Sequence, residues 1–236
     1  MVGTKRKKEL EELLQKINIQ ANDLEEISSS LIHPSYIYER DIRKTKHNQR
    51  LEFLGDAVVG LVIAEYLYQE YPEEKEGNLT KMRAAIVCEA ALADAAREIE
   101  LGRYILMGKG EKLGGGQDRS SNLADAWEAL VGAIYFQTGI EGVREFILKG
   151  LAKSIEEVAI GNYGDFKTKL QEIIQKQPES EVDYVILEEN GPDHDKDFLS
   201  GVYVNGDLVS TGRGKTKKEA EQKAAQAALK KMGDQK

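Results

Sequence analysis

Apolar positions recur at helical spacing over the first two thirds of the chain. Leu51, Leu54, Val58, Leu61, Val62 and Ala64 to Leu67 follow one such series, and Met82 to Ile99 and Leu123 to Phe136 follow others. This period predicts helices with a buried face. No segment before residue 160 alternates with the period of two that a half-buried strand needs. Met107 to Ser121 carries Gly108, Gly110, Gly114, Gly115 and Gly116 and is predicted to be an exposed loop.

The pattern changes near Ile160-Gly161-Asn162-Tyr163-Gly164, which reads as a linker. Beyond it, Phe166 to Lys176 is amphipathic, with Asp165 placed to cap it. Val182 to Leu187 is rich in strand formers, and Phe198 to Val204 and Asp207 to Thr211 flank Asn205-Gly206, a strong hairpin signal. Thr216-Lys217-Lys218-Glu219 has the form of a capping box, and Ala220, Ala224, Ala227 and Ala228 then offer a small-residue face to a sheet. The expected organisation is a mainly α domain over 1–158, a linker over 159–163, and an α+β domain of order α-β-β-β-α over 164–236.

Composition narrows the class but not the function. The 236 residues are 41% hydrophobic and 31% charged, which suits a globular protein with room for two cores. A formal net charge of −8 does not suggest a nucleic-acid binder, yet a sum over the chain hides local clusters. Met1 to Leu10 is basic and lacks the apolar stretch of a signal peptide, and no apolar run is long enough to span a bilayer. The single Cys88 excludes an internal disulfide and is expected to be a small buried hydrophobe in a reducing compartment. A cytoplasmic protein with no membrane association is expected.

Two helices carry carboxylates among apolar neighbours. Glu52 and Asp56 share a face at i,i+4, and Asp125 and Glu128 share one at i,i+3. Singly, each has an ordinary explanation. Asp125 could follow Asn122 as N-cap, and Glu52 could pair with Arg50 or Arg83. Four such acids together would repel one another and lose hydration, so they call for a cation. With no histidine or cysteine near them in either helix, the oxygen ligands suit Mg²⁺, with Mn²⁺ as a possible substitute, rather than zinc.

Asn48-Gln49-Arg50-Leu51-Glu52-Phe53-Leu54-Gly55-Asp56 resembles the signature of the ribonuclease III family at all but one position. Leu31-Ile32-His33-Pro34-Ser35-Tyr36, Glu76-Gly77 before Met82-Arg83-Ala84, and Leu123 to Leu130 resemble further blocks of that family. The resemblance implies a double-stranded-RNA endonuclease in which Glu52, Asp56, Asp125 and Glu128 bind metal, with Asp56 and Glu128 also catalytic. It implies hydrolysis by metal-activated water in a two-fold dimer joined through the catalytic domain. Staggered cuts would leave 5′-phosphate and 3′-hydroxyl ends with a short 3′ overhang. Ribosomal RNA precursors and other structured transcripts would be the substrates, with no small-molecule cofactor. Glu76 corresponds to an acid at the edge of the cleavage valley. Gln49 departs from the family's usual glutamate there and cannot supply its charge.

Arg213, Lys215, Lys217 and Lys218 lie within six residues, at the start of the last predicted helix. Cations there oppose the helix dipole, so an anionic ligand explains them better than stability does. Asp165 to Glu172, Gly191-Pro192-Asp193-His194 and Gly214 to Gln222 resemble the three RNA-contacting regions of the double-stranded-RNA-binding domain. By that resemblance Thr168, Gln171 and Glu172 face one minor groove and His194 the next, while Lys215, Lys217 and Lys218 span the phosphates between. The Asp193 to Asp197 loop is more acidic than a phosphate-facing loop needs to be.

A non-cleaving double-stranded-RNA-binding dimer is the alternative, but such a relative should have lost one of the four carboxylates. A redox di-metal bundle would need Glu-x-x-His pairs, which are absent.

Overall fold

The computed structural model describes residues 2–40, 46–159, 166–175, 180–191 and 196–233. The chain divides into two compact units, Met1–Ile155 and Glu156–Lys236. The predicted linker residues Ile160 to Gly164, the capping Asp165, and His194 with its neighbours Pro192, Asp193 and Asp195 lie outside the described residues.

The first unit is helical. In chain order it contains α1 (Thr4–Lys16), α2 (Leu24–Ser30), α3 (Pro34–Arg40), α4 (Gln49–Glu70), α5 (Glu76–Ile86) and α6 (Glu89–Glu98). A 3₁₀ turn (Leu101–Tyr104), α7 (Lys109–Leu113) and α8 (Ser120–Gly150) follow, and the division between units falls within α9 (Ala152–Ala159). Among the described residues no helix is long and apolar enough to cross a membrane.

The unit is built on the crossing of α4 and α8. Val58, Val59, Val62, Ile63 and Leu67 of α4 are buried, as are Leu123, Trp127, Leu130, Val131, Ile134 and Ile147 of α8. Trp127 stacks on Phe146 with ring centroids 5.5 Å apart. Two glycines bring the backbones together. A Cβ on Gly55 would lie 1.8 Å from the Glu128 carbonyl oxygen, and one on Gly132 would lie 2.4 Å from that of Leu51. Any side chain at either position would force the helices apart.

Three local expectations need correction. The pattern from Met82 to Ile99 is two helices, broken at Val87 and Cys88. Cys88 is exposed at the N-cap of α6, not buried, because the break turns it out of the apolar face. The glycine-rich stretch contains α7, and Asn122 lies inside α8 and not at its N-cap, which is Arg119. Asn122 instead donates from Nδ2 to the Glu111 carboxylate (2.9 Å) and to the Gly116 carbonyl (2.9 Å).

The second unit has the predicted order α10 (Phe166–Ile174), β1 (Val182–Asn190), β2 (Asp197–Val204), β3 (Asp207–Gly214) and α11 (Lys217–Gly233). The strands form an antiparallel sheet in sequence order, and the β2–β3 turn holds Asn205 and Gly206 at φ 52° and 87°. Two positive φ values in a two-residue connection match the twist of a hairpin. Leu170, Ile174, Val202, Ala224, Ala225 and Ala228 form the core. Ala225 is buried there, whereas the predicted Ala227 is only partly so. A Cβ on Gly212 would lie 2.2 Å from the Ala224 nitrogen, so α11 rests directly on the sheet backbone.

Replacing Gly132 with Ala is expected to lower stability by about 1–3 kcal/mol through overpacking at the crossing. Gly60→Ala, on the facing helix α4 but with no atom within 4 Å of the added Cβ, is expected to stabilise by about 0.5–1 kcal/mol. Urea unfolding midpoints at constant slope check both.

Candidate active site and nucleic-acid interface

The close crossing of α4 and α8 sets the two acidic pairs facing each other. Glu52, Asp125 and Glu128 are half-buried, while Asp56 is exposed. Their charges act on one another. The Glu128 carboxyl is pushed from its ordinary 4.5 up to about 7, first by burial and then by Asp56, Glu52 and Asp125. Glu52 is raised by burial, Asp125 and Asp56. Asp125 is raised by burial and by Glu89, and is lowered by His33. Among the described residues neither Arg50 nor Arg83 forms an ion pair with Glu52. Among the described residues no lysine or arginine forms an ion pair with any of the four acids.

Among the described residues no three histidine, cysteine or acidic side chains stand close enough to hold an ion as they are placed. The donor set nevertheless suits a hard divalent cation: four carboxylates, two of them glutamates, in a negative field. Binding would require the carboxylates to turn inward. Glu76 stands apart, exposed at the first position of α5, where its Oε1 accepts from the Thr80 hydroxyl (3.0 Å). It is not among the charges acting on Glu52, Asp125 or Glu128. Gln49 is exposed at the first position of α4.

In the second unit the basic run surrounds the start of α11. Thr216 Oγ1 accepts from the Glu219 nitrogen (3.1 Å), and the Glu219 carboxylate accepts from the backbone nitrogen of Lys215 (2.7 Å). This fixes the helix end and leaves the side chains of Lys215, Lys217 and Lys218 exposed. Thr168, Gln171 and Glu172 are exposed on α10, with Leu170 and Ile174 buried beneath them. Lys167 ties α10 to α11 through Glu221 (2.6 Å). Part of the basic charge is already engaged. Arg213 pairs with Glu188 (2.9 Å) and Asp197 (3.2 Å), and Lys217 lies 3.6 Å from Glu189.

The family model described as Ribonuclease-III-like matches residues 24–155, and that described as Double-stranded RNA binding motif matches residues 166–232. The chain belongs to the ribonuclease III family. It is a double-stranded-RNA-specific endoribonuclease with a helical nuclease domain and an α-β-β-β-α RNA-binding domain. A Ribonuclease 3 from Syntrophomonas wolfei is 54% identical over 203 residues, covering 86% of each chain. One from Heliobacterium modesticaldum is 46% identical over 225 residues, covering 95% of this chain and 96% of its own. The solved nuclease domain of ribonuclease III from Campylobacter jejuni, described for structural flexibility in a region involved in dimer formation, has a TM-score of 0.58. It is 37% identical and covers 62% of this chain and 99% of that domain.

Several groups around this ribonuclease III site escape a reading of the sequence. Glu111 of α7 accepts from Arg119 (2.5 Å) and Asn122 (2.9 Å), closing the glycine-rich turn against the start of α8, three residues before Asp125. Glu89 and His33 both act on Asp125. The acids Glu188 and Glu189, at the end of β1, meet the basic run only through the sheet register. No local motif announces any of these contacts. The nearest signal was His33-Pro34-Ser35-Tyr36, legible as a block but not as a partner of Asp125.

Because Glu128 binds a proton more tightly folded than unfolded, its contribution to stability is complete below pH 4.5 and declines as the pH rises through about 7. In chelator, Glu128→Gln is therefore expected to match the wild type near pH 4.5 and to exceed it in urea midpoint above pH 7. A difference that stays flat with pH would contradict the coupling.

Proposed function

We propose that Glu52, Asp56, Asp125 and Glu128 form the cation-binding catalytic centre, and that Mg²⁺, replaceable by Mn²⁺, is the ion. The observation that carries the reading is that Glu52 and Glu128 are raised, first by burial and then by the neighbouring carboxylates gathered at the α4–α8 crossing. When bound, the divalent ion supplies an acidified water and stabilises charge on a phosphate. Asp56 and Glu128 touch the reacting groups in this reading, and Glu52 and Asp125 complete the set. Gln49 and Glu76 sit as accessory groups at the edge of the cleavage valley. The products are 5′-phosphate and 3′-hydroxyl ends with a short 3′ overhang, and the substrates are precursors of ribosomal RNA and other structured transcripts in the cytoplasm.

A homodimer through the nuclease domain places one such centre on each strand. Phe53, Leu61 and Tyr68 of α4 support it, being 81%, 57% and 75% exposed. Spaced eight and seven residues apart on one helix, they share a face and form an apolar stripe of the kind that marks a protein interface. The domain boundaries are proposed as 1–158 and 164–236, joined by a linker over 159–163. In the second domain Thr168, Gln171 and Glu172 would meet one minor groove and His194 the next, with Lys215, Lys217 and Lys218 on the intervening phosphates.

The test is incubation of a long perfect RNA duplex with purified protein, in Mg²⁺ and in chelator, beside DNA and single-stranded RNA. Shortening of the RNA duplex alone, in Mg²⁺ alone, with 5′-phosphate ends, is expected, and Glu128→Gln is expected to bind the duplex without cutting it. A duplex bound but left whole in both Mg²⁺ and Mn²⁺ would favour a non-cleaving binding dimer.

A further inference from the structure

His33 and the residue before it are tied to the loop before α7 and to the start of α4. The His33 backbone nitrogen donates to the Leu106 carbonyl (2.9 Å), and the preceding Ile32 carbonyl accepts from the nitrogen of Asn48, the N-cap of α4 (2.9 Å). The side chain is half-buried, with Nδ1 2.7 Å from the Ser35 hydroxyl and 3.2 Å from the Ser35 backbone nitrogen.

The protons on this ring follow from those contacts. The Ser35 nitrogen can only donate, so Nδ1 must accept. The Ser35 Oγ already accepts from the Gly108 nitrogen (3.0 Å) and has one proton to give, which the short contact directs at Nδ1. Nδ1 therefore carries no proton, and Nε2 carries one. A second proton on Nδ1 would face the Ser35 N–H, donor against donor, and burial also lowers the affinity of His33 for it.

A neutral imidazole with a single fixed N–H resembles the groups that orient the carboxylates of metal sites. The carboxylates whose charge reaches His33 are Glu111 and Asp125. Glu111 is already held by Arg119 and Asn122. Asp125 receives no hydrogen bond from any described residue, and its field is otherwise set by burial and by Glu89.

We infer that His33 is a positioning residue: when the carboxylates turn inward around a cation, its Nε2–H donates to Asp125 and holds that carboxylate in the site, while Ser35 and Gly108 fix the ring. The inference rests on the reading of the four acids as a cation site. Through Ile32, Leu106 and Gly108 it ties the start of α4 and the loop before α7 to one ligand on α8.

Two substitutions divide the functions of the ring. Asn at 33 can keep an acceptor near the Nδ1 position but is too short to donate from the Nε2 position. Gln can reach that second position. With the full chain, Mn²⁺ binding is measured by titration calorimetry, and the Mg²⁺ midpoint by single-turnover cleavage of a saturating RNA duplex. His33→Asn is expected to weaken Mn²⁺ binding about tenfold or more and to raise the Mg²⁺ midpoint alike, with duplex affinity unchanged. His33→Gln is expected to recover most of both. If the Asn variant does not fold, Ser35→Ala, which loosens the ring without removing it, is expected to shift the Mn²⁺ isotherm in the same direction by a smaller factor.

Unchanged Mn²⁺ binding in His33→Asn, or in Ser35→Ala where that variant is used, would overturn the inference. So would equal losses in the Asn and Gln variants. A wild-type protein that binds no Mn²⁺ would instead remove the cation site on which the inference rests.

Discussion

The approach of α4 to α8 is the constraint on which the nuclease domain depends. Gly55 meets the Glu128 backbone and Gly132 meets that of Leu51, with no room for a side chain at either point. That contact buries the apolar faces of both helices and, in the same stroke, opposes Glu52 and Asp56 to Asp125 and Glu128. Packing of this kind tolerates little adjustment. The fold therefore holds like charges together that would separate in a looser structure, and the Glu128 carboxyl is raised first by its burial at that crossing and then by the carboxylates beside it. A divalent cation is the natural resolution, because it converts the repulsion into binding energy.

The RNA-binding domain meets the opposite electrostatic condition with a similar economy of backbone. Gly212 lets α11 rest on the sheet, and Thr216 with Glu219 fixes the helix end. The lysines that follow are therefore presented from a rigid support. Glu188, Glu189 and Asp197 engage Arg213 and Lys217 from the neighbouring strands. Exposed pairs of this type are weak and screened by salt, so they moderate the basic surface without closing it. Phosphates meet a surface whose cations are partly balanced in advance.

Much of this was legible in the sequence. The i,i+4 and i,i+3 spacings put each acidic pair on one helix face, and Asn205-Gly206 announced the hairpin that the two positive φ values show. These signals are local, and local geometry is what a sequence encodes most directly. Contacts set by tertiary register were not legible. Cys88 sits in an apolar run, yet a helix break turns it to solvent. Asn122 has the form of an N-cap, yet Arg119 takes that place and Asn122 closes the glycine turn. His33 and Glu89 lie far in sequence from the Asp125 carboxylate whose field they enter, so only the fold could bring them into view.

The central claim is that the four carboxylates are one electrostatic unit completed by a cation. Its most direct test is titration of chelator-treated protein with Mn²⁺ at pH 7 in buffers of differing ionisation enthalpy, which counts the protons released. Near its raised midpoint Glu128 is partly protonated, so Mn²⁺ binding is expected to release a fraction of a proton, and Glu128→Gln to abolish that release. Binding without proton release in the wild type, or release unchanged by the substitution, would contradict the account.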